Sequence, residues 1–276
     1  MQVKHNKLKA PFGWIGGKSK LADEIVSLIP EHSSYIEVFG GALSVLYRKQ
    51  KSKIEIVNDI NGELVNLHRI IRSNPQSLSD YLQQLLISRE LFNDIKQKNL
   101  KPRNNIERAA LYYYQLSMSF GSKGDNFAMP KSRHPKDIYK DFRKWSQRLK
   151  FVSIENMSFQ KLLLEYDRPS AFFYCDPPYF GTESYYKNTG GFGKDEHILL
   201  RDTLANTQGK FLLSYNDDPF IRELYKEFNI KVTKKLDYTL GSNVHARRKS
   251  VREVFISNYW GWYIETYSRL ISHKVR

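Results

Sequence analysis

Apolar positions recur along this chain with two periods, one helical and one extended. Leu21, Ile25, Leu28 and Ile29 share a helical face, and Pro30 ends the run. Residues 35–39 (YIEVF) form a short apolar run that stops at Gly40-Gly41, which predicts a strand. A helix over 42–49 and a strand over 54–57, closed by Asn58-Asp59, follow. Strands alternating with helices in such short units predict a parallel α/β sheet. After about residue 62 the alternation stops, and 63–150 carries mainly helical signals. Pro75 suits a first helical turn, and Asn104 with Glu107 resembles a capping box before the run 109–116. A helix starting near Pro135 would carry Phe142, Trp145 and Leu149 on one face. Residues 119–135, rich in Gly, Pro, Ser and Lys, read as an ordered loop or hairpin. Alternation then resumes, with strands over 151–154, 171–175, 210–214 and 251–257 and helices over 159–166, 195–206 and 219–228. The pattern predicts one α/β domain, residues 1–62 and 150–276, interrupted by a helical insertion at 63–149.

Composition narrows the class. With 276 residues, 41% hydrophobic and 14% aromatic, the chain has the means to bury a core, which excludes a disordered segment. The single cysteine, Cys175, excludes a disulfide framework and any zinc site built on several thiolates. The seven histidines show no HxxxH or HxH spacing, so no metal is expected. No apolar run approaches the roughly 20 residues of a membrane helix. The basic start MQVKHNKLKA lacks the apolar segment of a signal peptide, so an intracellular, soluble protein is expected.

Charge points to a partner. Lysine and arginine total 44 against 29 acids, a net charge of +15. A polyanion such as nucleic acid fits that surplus, and a merely solvated basic surface fits it as well. The surplus is uneven. Residues 123–150 hold nine basic side chains against three acidic, and 231–276 hold ten against three, including His245-Ala246-Arg247-Arg248-Lys249. Such clusters bind phosphates with strong salt dependence.

The densest chemistry is Asp176-Pro177-Pro178-Tyr179, directly after the run 171–175. That is the carboxyl end of a predicted strand, the edge where open α/β sheets bind ligands. Pro-Pro there could simply stiffen a turn, because it fixes two φ angles and removes two donors. A chemical reading accounts for all four residues. The exocyclic amine of a nucleobase is a poor nucleophile, since its lone pair is delocalised into the ring. Two acceptors on its two N–H groups let the nitrogen turn tetrahedral and expose that pair. Asp176 supplies one acceptor and the carbonyl of Pro177 the other, aimed outward by the rigid backbone. Tyr179 offers a ring on which the base can stack, and a base in a duplex must flip out to reach it.

A second constellation lies earlier. Gly40-Gly41 follows the first strand and lets backbone approach a ligand closely. Asp59 ends the next strand, 22 residues after Glu37, the spacing at which an acid binds the ribose of a nucleotide-like cofactor. Two other motifs fall short. The segment after Gly40 lacks the G-x-G-x-x-G dinucleotide fingerprint. The run 12–19 ends in Gly17-Lys18-Ser19 like a phosphate loop, but Phe12 occupies the first glycine position and no strand precedes it.

In order along the chain, these segments resemble the adenine-N6 DNA methyltransferases of the Dam type, the D12 class, of bacteria and phages. Pro11-Phe12-Gly13-Trp14-Ile15-Gly16-Gly17-Lys18 is similar to the family's opening P-F-x-W-x-G-G-K. Residues 35–41 resemble its glycine turn, Val57-Asn58-Asp59-Ile60-Asn61 its N-D-I-N segment, and Asp176 to Tyr179 its catalytic tetrapeptide. Residues 211–216 and 253–259 are similar to later strands of phage-type members.

The resemblance implies a Rossmann-like methyltransferase sheet with an inserted helical DNA-recognition domain, using S-adenosylmethionine as methyl donor. Trp14, Lys18, Glu37, Phe39, Gly40, Gly41, Asp59 and Asp176 would bind that donor. Among them, Lys18 would pair with its carboxylate, Asp59 with its ribose hydroxyls, and Trp14 would pack near its sulfonium. Asp176, Pro177, Pro178 and Tyr179 would act on an adenine flipped out of double-stranded DNA, with GATC as the family's suggested target. Lys123, Asn126, Lys131 and Arg133 would line a recognition loop, and Arg247, Arg248 and Lys249 would hold phosphates. By their place after the tetrapeptide, Tyr185, Tyr186 and Lys187 fit a lid over the flipped base and fit ordinary packing aromatics equally well. A monomer on DNA, or a dimer, in the cytoplasm of a bacterium or phage-infected host completes the expectation. The chain departs from the family at Val38, where a proline is usual, and at Ala42 and Leu43, where smaller residues are common. It also departs at Ser158, where many members place an acid that would meet the donor's adenine amino group. N4-cytosine in DNA, adenine in RNA, and DNA binding without catalysis remain alternatives.

Overall fold

The computed structural model describes residues 8–128, 138–182, 191–233, 236–238 and 249–259. Its frame is a sheet of seven strands: β1 (Ser34–Glu37), β2 (Ile54–Asn58), β3 (Val152–Glu155), β4 (Ala171–Cys175), β5 (Lys210–Asn216), β6 (Asn229–Val232) and β9 (Glu253–Ser257). They lie in the order β3-β2-β1-β4-β5-β9-β6. β7 (Leu236–Tyr238) and β8 (Lys249–Val251) form a separate antiparallel ribbon. The helices are α1 (Ala22–Leu28), α2 (Ser44–Arg48), α3 (Gly62–Ser73), α4 (Pro75–Gln83), α5 (Arg89–Lys96) and α6 (Asn105–Met118), then α7 (Arg143–Leu149), α8 (Phe159–Tyr166), α9 (Lys194–Ala205) and α10 (Pro219–Leu224).

Strand side chains alternate between two cores. Tyr35, Val57, Phe172, Tyr174, Leu212 and Phe255 pack with α1 to α7 in one continuous core. Ile36, Val38, Ile56, Phe173, Leu213 and Ile256 pack with α8, α9 and α10 on the other face. Helices therefore cover both faces, which is why the central strands read as unbroken apolar runs. The helices between β2 and β3 share their core with the sheet, so they are anchored to it. The loop that precedes α1 is clamped between the two: Trp145 Nε1 donates to the carbonyl of Lys9 (2.7 Å) and Lys140 Nζ to that of Pro11 (2.6 Å). Phe12 packs against His68 of α3 and Tyr113 of α6.

β1 to β5 are mutually parallel, as the alternation predicts. β9 departs from it, running antiparallel to both β5 and β6. A parallel return needs a crossover of a dozen or more residues, usually a helix, whereas a reversed strand needs none. Only the β7–β8 ribbon lies between β6 and β9 among the described residues. The predicted strand over 251–257 is thus two: Arg252 separates β8 from β9. The predicted helix over 219–228 ends at Leu224, and β6, unforeseen, follows. α7 starts at Arg143 instead of near Pro135, because the Asp141 carboxylate takes the Arg143 backbone N–H (3.0 Å) and pins the turn there. Asn104 caps α6 as expected, but Glu107 turns to the backbone N–H and guanidinium of Arg103 and does not close the box.

Candidate active site

The order β3-β2-β1-β4-β5 reverses direction between β1 and β4, and at such a switch point a crevice opens outside the carboxyl ends of the strands. The segments after β1, β2 and β4 converge there. Beyond β1, Gly40 donates its N–H to the carbonyl of Asn58 at 2.7 Å. A Cβ at Gly40 would lie 2.9 Å from that same oxygen. Gly41 has φ +51°, and a Cβ on it would strike the Trp14 indole at 2.8 Å. Both glycines are therefore required by close approach. Leu43, also left-handed at φ 58°, leads into α2.

Asp59, at the end of β2, takes the Gly41 N–H on Oδ2 and the Asn61 N–H on Oδ1, both at 2.9 Å. Burial raises its carboxyl above the usual range, and these backbone donors work against that rise. Each oxygen retains a lone pair for a further donor. Asn61, not Asp59, caps α3, accepting from Glu63 and Leu64. Asn58 staples three segments: its Nδ2 donates to the carbonyls of Val38 and Met157 (3.0 and 3.1 Å), and its Oδ1 accepts the Met157 N–H. His68 Nε2 lies 2.8 Å from the Gly41 carbonyl, and burial lowers its ring to about 4, so it is neutral and donates. Phe39 is half-buried against Phe159 and Phe192.

Glu37 faces inward. Its Oε2 accepts the Tyr35 hydroxyl (2.8 Å) and the Leu46 N–H (3.0 Å), and burial pushes its carboxyl up to about 8. That places the acid beneath α2 as a neutral group.

Across the switch point, Asp176 follows β4. Lys18 Nζ stands 2.7 Å from Asp176 Oδ1, donates to the carbonyl of Gly16 (2.8 Å), and lies 4.6 Å from the centre of the Tyr179 ring. The Lys18 side chain is 3% exposed and that of Asp176 17%. Burial raises the Asp176 carboxyl to about 6, while Lys18 pulls it down and Glu253 pushes it up. Pro177 is buried, and Pro178 and Tyr179 are half-buried. The Tyr179 hydroxyl donates to Glu253 Oε2 at 2.7 Å, and that oxygen is 3.8 Å from Lys18 Nζ.

The structure thus groups Trp14, Gly40, Gly41 and Asp59 at the ends of β1 and β2, and Lys18, Asp176 and Tyr179 after the neighbouring β4. Ser158 caps α8 by accepting the Lys161 N–H. Lys123 and exposed Asn126 sit in a tight loop closed by the Ser119–Phe127 bridge, after α6. Lys131, Arg133, Tyr185, Tyr186, Lys187, Arg247 and Arg248 lie outside the described residues, as does the side chain of Lys249, which opens β8. Sequence reasoning missed Asn58, His68 and Glu253 as site residues. An acid heading the apolar run 254–256 was a signal that Glu253 is turned inward.

The model of the D12 class N6 adenine-specific DNA methyltransferase family matches residues 14–238. The chain is 32% identical over 272 residues to the type II methyltransferase M1.LlaDCHI of Lactococcus lactis subsp. cremoris, covering 89% of this chain and 94% of that protein. It is 27% identical to the type II methyltransferase M.CviBI of Paramecium bursaria Chlorella virus NC1A, covering 89% and 98%. It is 24% identical to a DNA adenine methylase of Vibrio cholerae, covering 88% and 94%. The matched span contains the glycine turn, Asp59, Lys18 and the tetrapeptide at the switch point, and this chain belongs to the D12 class N6 adenine-specific DNA methyltransferase family.

Proposed function

We propose that this protein transfers a methyl group from S-adenosylmethionine to N6 of an adenine flipped out of double-stranded DNA. The observation that carries the reading is Asp176, 2.7 Å from Lys18, at the sheet edge where the Gly41–Asp59 hydrogen bond also joins the ends of β1 and β2. The residues present suit the donor. The Gly40-Gly41 turn leaves room that a Cβ would fill, and Asp59 has acceptor capacity for two ribose hydroxyls. S-adenosylmethionine supplies a methyl on a sulfonium, a carbon already activated for displacement.

The protein's part is positional and electrostatic. Lys18 and the Tyr179 hydroxyl take part of the acceptor capacity of the Asp176 carboxylate, whose remaining lone pairs serve an N6 hydrogen. The Pro177 carbonyl accepts the second hydrogen, and the Tyr179 ring carries the base. Positive charge rises on N6 only as the methyl arrives, so Asp176 serves as acceptor first and the N6 proton passes to water afterwards. The basic residues of 123–150 and 231–276 supply DNA affinity, and the helices between β2 and β3, residues 63–149, act as a recognition insertion into the catalytic domain of 1–62 and 150–276. GATC is the first target to assay, with the protein acting as a monomer on duplex DNA in the cytoplasm.

The test is transfer of labelled methyl into duplex DNA, followed by digestion to nucleosides. N6-methyladenine is the expected product. N4-methylcytosine, or activity confined to RNA, refutes the substrate assignment. Asp176→Ala is expected to keep DNA binding and part of donor binding and to lower transfer by about 100-fold or more. Near-normal transfer by that variant refutes the site.

A further inference from the structure

We infer that Glu253 is a positioning residue of the transfer site: it holds the Tyr179 ring through the tyrosine hydroxyl and divides Lys18 with Asp176. The inference rests on the methyl-transfer reading above and names a residue outside the tetrapeptide, the glycine turn and the opening loop.

Topology makes it available. β1, β2, β4 and β5 all end at the switch-point edge, so each delivers its last residues there. β9 runs the other way, and its first residue, Glu253, pairs with Asn216, the last of β5. A reversed strand brings its beginning to the edge where its parallel neighbours end. Glu253 is 1% exposed. A carboxylate at that depth is tolerated only when charge and hydrogen bonds satisfy it. Its Oε2 meets the Tyr179 hydroxyl at 2.7 Å and Lys18 Nζ at 3.8 Å. Its backbone is held as well, the N–H by Thr233 Oγ1 (3.1 Å) and the carbonyl by the Thr233 N–H (2.8 Å).

The consequence is a coupled group of one cation, two carboxylates and one phenol. Tyr179 is tethered at its far end, which fixes the plane a base would stack on. Lys18 is attracted by two anions, which limits how far it neutralises Asp176. Among the described residues, the Tyr179 hydroxyl also bears on Asp176 by hydrogen bonding, as do Tyr174 and Cys175 of β4, Tyr215 of β5 and Glu37 of β1 through their fields. Of these, Glu37 is neutral below about 8, and burial keeps the phenols and the thiol protonated. Among the described residues, Glu253 is therefore the nearby negative charge that opposes ionisation of Asp176.

Three variants separate these roles in the full-length protein. Glu253→Gln keeps an oxygen for the Tyr179 hydroxyl and removes the charge. Its kcat stays within about threefold of wild type, while the acidic limb of kcat/KM moves to lower pH by about half a unit or more. Glu253→Ala removes the acceptor too, and kcat falls about tenfold or more with the donor KM little changed. Tyr179→Phe lowers kcat by a similar factor, and combining it with Glu253→Ala lowers kcat no further. Wild-type kcat and an unmoved limb in both Glu253 variants overturn the inference while leaving the methyl-transfer reading intact. Should Glu253→Ala fail to fold, an unmoved limb in Glu253→Gln is enough to overturn it. A wild-type protein that transfers no methyl to DNA overturns the underlying reading and the inference with it.

Discussion

Replacing Lys18 by methionine separates two roles for this lysine. Resemblance to the family assigns it to the donor's carboxylate, whereas the structure sets it against Asp176. At 2.7 Å and an effective dielectric near 20, the Coulomb attraction amounts to about 6 kcal/mol, an upper bound because Asp176 keeps some exposure and Glu253 competes. A cation so placed lowers a carboxyl by about 1 to 3 pH units. With Lys18 the Asp176 midpoint is about 6; without it the midpoint rises to between about 7 and 9. In the proposed mechanism Asp176 accepts an N6 hydrogen only when ionised, so activity is expected to fall as pH drops through that midpoint. At pH 7 the ionised fraction drops from about 0.9 to between about 0.5 and 0.01, by the same range of midpoints. The expected outcome for Lys18→Met is a two- to hundredfold fall of kcat/KM at pH 7, on the order set by that range, with recovery toward pH 9. The assay is the initial rate of labelled methyl transfer into duplex DNA between pH 5 and 9.5, with donor KM measured in parallel. An acidic limb that stays near pH 6 while donor KM rises refutes the argument and returns Lys18 to the donor's carboxylate.

Gly41→Ala puts a methyl group 2.8 Å from the Trp14 indole at a left-handed position, so donor binding weakens about tenfold or more, read by calorimetry, while the fold persists. Unchanged donor affinity would show that the turn does not face the donor. Glu37 holds its proton up to about pH 8 in the folded protein, against an ordinary 4.5 in the unfolded chain. The unfolded state sheds that proton first, so stability falls as pH rises from about 4.5 to 8. Glu37→Gln removes this penalty, and its Tm advantage over wild type grows from pH 5 to pH 9; equal Tm differences at both ends would contradict the buried, protonated acid.

What could be read without the structure was what neighbouring residues decide. The α/β alternation, the helical stretch after β2, the glycine turn, Asp59 and the tetrapeptide after β4 are each encoded within about ten residues. Side-chain periodicity, turn chemistry and motif spacing act at that range. The tertiary structure decided matters that depend on residues far apart in the chain. Lys18 meets Asp176 because the N-terminal loop is clamped between the helices and the sheet edge. Tyr179 and Glu253, 74 positions apart, meet because β9 is reversed, a direction that the apolar run 254–256 does not reveal. His68 looks like an ordinary polar residue, and Asn58 has a place in the N-D-I-N segment but no role, until packing sets both behind the glycine turn. An apolar pattern records which side of a segment avoids water. It carries no record of which segment lies beside it or in which direction that segment runs, and strand pairing in three dimensions settles both.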